Sequence, residues 1–151
     1  MPNTLQDFLA VATQKASMEL MEAFLLVPED KRTWKSEGTT RTALDQLAEC
    51  ALLNGYIADL IQTRKWTMNN FDIFRQEKAA AEALGWDHLR ELLEKNTSRV
   101  ADAIRAVPDD ALDSEIETPG GKMTLAEIAA RSYWNMTYHL GQINYIAAML
   151  A

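Results

Sequence analysis

The chain has two histidines and one cysteine, and one of its carboxylates sits on an apolar helical face. These are its candidates for chemistry. His139 falls between Met136 and Ile143 on the inward side of a C-terminal helical pattern. A buried imidazole needs partners for both nitrogens, or a metal on one. Asn135 lies four residues earlier and Ser132 seven earlier, so both share a helical surface with His139. Glu49 shares a face with Leu53, Tyr56 and Leu60, where a carboxylate must be protonated, paired or bound to a cation. Facing helices of a bundle commonly project side chains into one metal site. Glu49, Asn135 and His139 would offer one imidazole nitrogen and two kinds of oxygen. That set suits a divalent ion but binds it more weakly than three histidines. The alternative is a Glu49–His139 hydrogen-bonded pair, joined by Asn135 or Tyr138, that fixes helix packing. Both readings stand at this point.

The other reactive residue types point to structure. Cys50 projects about 100° away from Glu49 on the same helix and reads as a buried structural thiol. His88, among Asp87, Arg90 and Glu91, reads as a surface residue. Tyr56, Trp134 and Tyr138 have the spacing to line an opening or simply to fill the core. The GTTRT and PGGKM stretches lack Walker spacing, and there is no HExxH and no serine elbow.

The elements that must position these groups are helical. Alanine is abundant and valine scarce, which favours helices over a sheet core. Apolar residues recur at helical spacing over about 4–27, 40–64, 87–107 and 124–150. Thr4 with Asp7 and Thr124 with Glu127 have capping-box spacing. The second segment is apolar on two faces, which makes it the most buried member, and Gly55 marks a close helix approach. A short helix is expected over 69–84, inside a long connection between the second and third long helices. Pro119, Gly120 and Gly121 carry a type II or similar turn signature, with no partner strand evident for the residues before them. The expectation is an all-α four-helix bundle forming one domain over residues 1–151.

Composition excludes several classes. With 22 acidic against 15 basic side chains, a formal charge of -7 and one cysteine, the chain has no broad phosphate-binding surface, no intrachain disulfide and no all-cysteine metal cluster. No direct nucleic-acid binding is expected. The opening MPNTLQDFLAVATQ does not resemble a signal peptide, and no apolar run reaches membrane-spanning length. A cytoplasmic location and no membrane association follow as expectations.

The closing stretch TLAEIAARSYWNMTYHLGQINYI resembles the last helix of the DinB-like superfamily, whose members are related to bacterial thiol transferases and mycothiol-dependent maleylpyruvate isomerase. In the family's usual form, one histidine stands four positions before a second, and a Gly-Gln ending follows. Here His139 matches the second, Gly141 and Gln142 match the ending, and Asn135 stands in the earlier histidine's place. WKSEGTTRTALDQLAECA resembles the family stretch that leads to the first metal-binding histidine. Matching Thr42 to its Ser/Thr and Asp45 to its acidic residue puts Glu49 at that histidine position, and a shifted match puts Gln46 there.

The resemblance implies an up-down-down-up bundle, a homodimer and an altered metal site at Glu49, Asn135 and His139. It also implies a divalent ion such as zinc or nickel that activates a low-molecular-weight thiol or water. The alternative is a metal-free bundle that binds a small molecule or acts as a dimeric interaction protein.

Overall fold

The computed structural model describes residues 3–151. Helix α1 (Leu5–Leu26) starts where Thr4 Oγ1 accepts the Asp7 N–H at 3.1 Å, and α2 (Ala43–Thr63) starts the same way, with Thr42 Oγ1 3.0 Å from Asp45 N. The expected short helix is α3 (Phe71–Ala83), capped by Asn70. Gly85, at φ 88°, turns the chain into α4 (Trp86–Arg105). Helices α5 (Leu125–Ala129) and α6 (Arg131–Leu150) divide at Ala130 what the periodicity presents as one helix. The full capping box of Thr124 and Glu127 opens α5.

Cross-helix contacts fix the topology. Ala51, Asn54 and Asp59 of α2 meet Asn96, Thr97 and Arg99 of α4 in the same order, so these helices are parallel. Gln6 reaches Val107 O at 3.0 Å while Ser17 meets Thr97, so α1 runs against α4. Gln46 meets His139 and Asn54 meets Met136, so α6 runs against α2. The result is the up-down-down-up bundle, in which α1 and α2 are consecutive yet diagonal.

The core has three levels. Leu20, Phe24, Leu47, Leu93, Met136 and Ile143 pack one apolar cluster. Leu9, Ile57, Ile61, Val100, Ile104 and Leu125 pack the other. On every long helix a buried polar residue falls between the two: Ser17, Asn54, Asn96 with Thr97, and Ser132. Gly55 permits the close approach expected of it, since an added Cβ would stand 2.9 Å from Asn96 Nδ2.

Two expectations are corrected. Residues 115–124 form an antiparallel hairpin, β1 (Glu115–Thr118) with β2 (Gly121–Thr124), where the sequence offers no evident strand pair. Each strand has four residues and Ile116 alone is buried, so no alternation of period two can be read. The turn is also not type II, because the positive φ falls on Gly121 (109°) and not on Gly120. The hairpin tip reaches over α2 and helps enclose the cavity described next.

Candidate functional site

The N-terminal half of α2 and the middle of α6 face each other antiparallel. Gln46 and Glu49, one turn apart, both come to bear on His139. The imidazole is 2% exposed. Its Nδ1 stands 2.7 Å from Gln46 Oε1 and its Nε2 stands 3.0 Å from Glu49 Oε1. Gln46 Nε2 donates to Arg41 O at 3.4 Å, which turns the amide oxygen toward the ring. Both ring nitrogens then face acceptors, an amide carbonyl on Nδ1 and a carboxylate on Nε2. If the amide turned over, Nε2 would still carry the proton given to Glu49.

Glu49 is shared. Its Oε2 lies 2.6 Å from Arg41 Nη2, an ion pair at the edge of the helix start. Arg41 Nε donates to Asp45 Oδ2 at 2.5 Å, and Asp45 Oδ1 meets Lys78 Nζ of α3 at 2.6 Å. Charges therefore alternate along Lys78, Asp45, Arg41 and Glu49, with His139 bonded to the last. Burial by itself would raise the Glu49 pKa, but the His139 bond and the Arg41 charge outweigh it and hold the carboxyl below its ordinary range. Asp45 is lowered likewise, its burial overcome by Lys78 and Arg41.

Asn135 does not join. Its Nδ2 donates to Cys50 Sγ at 3.6 Å, behind the ion pair. Cys50 is fully buried, and burial with the nearby Glu49 charge pushes its thiol pKa far up, so it is the inert thiol expected. Tyr138 meets the His139 ring edge-on at 5.3 Å and stacks on Trp134, both aromatics standing half in solvent. His88 is half-buried at the start of α4.

Arg41 is the member of this network that reading by residue type misses. Its signal was available: it precedes the helix cap by one residue, with Asp45 and Glu49 one and two turns ahead on the same side.

A cavity of about 520 Å³ opens beside this network, enclosed by α2, α3, the hairpin and the start of α6. Arg41, Glu49, Lys78, Arg131 and Asn135 line its polar side, while Leu53, Ile57, Trp66, Met68, Phe74 and Ile128 are among its apolar walls. Arg41 also borders a second cavity of about 770 Å³, with Gln46, Tyr138 and Tyr145 in its walls.

The sequence profile of the DinB superfamily matches residues 12–143. The chain belongs to the DinB superfamily. Among solved structures, this DinB chain is similar to mycothiol-dependent maleylpyruvate isomerase, at 18% identity and a TM-score of 0.72. A histidine-to-alanine mutant of that enzyme matches at 19% identity and a TM-score of 0.76. In both cases 95% of this chain aligns but only 61% of the isomerase chain, so the likeness is one of fold over part of the larger protein. None of the curated proteins matches the sequence.

As the side chains stand, Glu49 and His139 bond to each other while Asn135 bonds elsewhere. Glu49 has a guanidinium on one oxygen and an imidazole N–H on the other, and the Asn135 amide faces a thiol. Among the described residues no three His, Cys, Asp or Glu side chains converge to hold an ion. A dication placed here would meet the Arg41 guanidinium and would need Nε2 of His139 without its proton.

Proposed function

We propose that this DinB-superfamily chain is a metal-independent small-molecule-binding protein, in which Arg41 and His139 occupy the two oxygens of Glu49 that a metal would otherwise take. The observation that carries the reading is Glu49: one carboxylate oxygen is on His139 Nε2 at 3.0 Å and the other on Arg41 at 2.6 Å, at the wall of the cavity. Glu49, backed by His139, is the cavity-wall group able to exchange a proton with a ligand.

Thermal unfolding of chelator-treated protein with added zinc or nickel tests the metal-free part. An unchanged midpoint is expected, since an ion that does not bind the native state cannot stabilise it. The competing reading keeps the divalent ion at Glu49, Asn135 and His139, and it gains from the 3.0 Å approach of Glu49 Oε1 to Nε2, close to the spacing of two ligands on one ion. It requires Arg41 to leave and Asn135 to turn. A raised midpoint that disappears in His139→Ala would establish it.

We also propose a homodimer through α1 and α6. These neighbouring helices leave Phe8, Val11, Met18, Trp134 and Tyr145 exposed. Light scattering on the eluting protein should give twice the 17.0 kDa chain mass.

A further inference from the structure

The cavity carries three cationic side chains in its wall, Arg41, Lys78 and Arg131, against one carboxylate, Glu49, in a chain of net charge -7. Two of the three are already neutralised. Arg41 stands on Asp45 and Glu49, and Lys78 stands on Asp45. Arg131 differs: among the described residues no carboxylate comes within 4.0 Å of its guanidinium. It packs on the Trp134 ring instead, 5.0 Å from the centroid. Stacking holds a guanidinium plane in place while leaving its N–H edge free, the edge that receives a planar carboxylate through two parallel hydrogen bonds. Arg131 is the first residue of α6 and stands one turn before Asn135, which borders the same cavity. Opposite these polar groups the wall is aliphatic and aromatic.

We infer that this cavity takes a small amphipathic carboxylate, its acid group on Arg131 and its apolar body against Leu53, Ile57, Trp66 and Phe74. The inference rests on the small-molecule reading above and adds the ligand's charge and orientation to it. One unpaired cation calls for one negative charge. A neutral molecule of the same shape leaves Arg131 unused, and a cationic one is repelled by it. A polyanion would have to draw Arg41 and Lys78 away from their carboxylates.

Calorimetric titration of the whole chain with octanoate, octan-1-ol and octylammonium tests this at low salt. Octanoate should bind about five- to tenfold more tightly than octanol, as expected for a charge-assisted pair at a partly exposed site. Octylammonium should bind most weakly. Arg131→Gln should bring octanoate to the octanol affinity and leave octanol unchanged, and Leu53→Trp, which fills the apolar wall, should weaken both. Equal binding of octanoate and octanol by the wild type would overturn the Arg131 assignment and leave the small-molecule reading standing. So would an Arg131→Gln variant that keeps the preference. Absence of binding by all three compounds, or Leu53→Trp binding as well as wild type, would overturn the assignment of this cavity and with it the small-molecule reading.

Discussion

Two buried polar groups occupy this bundle, and they solve opposite problems. The central layer of Ser17, Asn54, Thr97 and Ser132 is neutral and joins three helices through Asn54–Thr97 at 3.1 Å and Thr97–Ser17 at 3.2 Å. It leaves Asn54 Oδ1 and Ser132 Oγ without partners, a shortfall uncharged atoms tolerate at about 1–3 kcal/mol each. The second group runs along Lys78, Asp45, Arg41, Glu49 and His139. It carries formal charge on Lys78, Asp45, Arg41 and Glu49 and borders a cavity. Apart from Arg41, which precedes α2, the members of both groups sit on helices. Formal charge and access to a cavity separate a packing device from a site able to act on a ligand.

The difference can be broken most forcefully at His139. His139→Ala removes one partner of a buried ion pair and leaves a void, with an expected loss of about 3 kcal/mol in unfolding free energy. Urea denaturation reads this directly, and a loss below about 1 kcal/mol would place the imidazole among surface-like contacts.

The two groups should also part company with pH. The Glu49 carboxyl is lowered in the folded state, so it adds stability above the ordinary carboxylate range and loses it as pH falls through the folded value. The deficit of Glu49→Gln against wild type should therefore be largest at neutral pH and close below about pH 4. Asn54→Ala, expected to cost about 2 kcal/mol through its lost bond to Thr97, should hold its deficit unchanged over the same range.

The smallest effect belongs to Gly55→Ala. The new methyl displaces the Asn96 amide from its 2.8 Å bond to Ala51 O, while alanine's helix propensity returns part of the loss. A net cost of about 1 kcal/mol is expected. A stabilised variant would mean that Asn96 has room to move.

Long-period features were legible in the sequence. The four long helices, the crossover helix, the Thr124–Glu127 cap and the Gly55 approach all rest on local spacing that tertiary packing preserves. The hairpin was not, because four-residue strands with a single buried side chain carry too little pattern. At the site, inward spacing on two helices was enough to pair Glu49 with His139. Asn135 has the same spacing, yet its rotamer points to Cys50, and helical phase does not report rotamers. Arg41 lies outside α2, so no helical face includes it, and its role depends on how the preceding loop folds back.

The central claim is that His139 Nε2 holds a proton for Glu49, where a metal would need a bare nitrogen. Long-range proton–nitrogen NMR at pH 7 reads the two ring nitrogens directly, with His139→Ala assigning the signals against His88. The account predicts a protonated Nε2 whose shift does not change when zinc is added in excess. An unprotonated Nε2 that moves on zinc addition, with a stoichiometric endpoint, would contradict it.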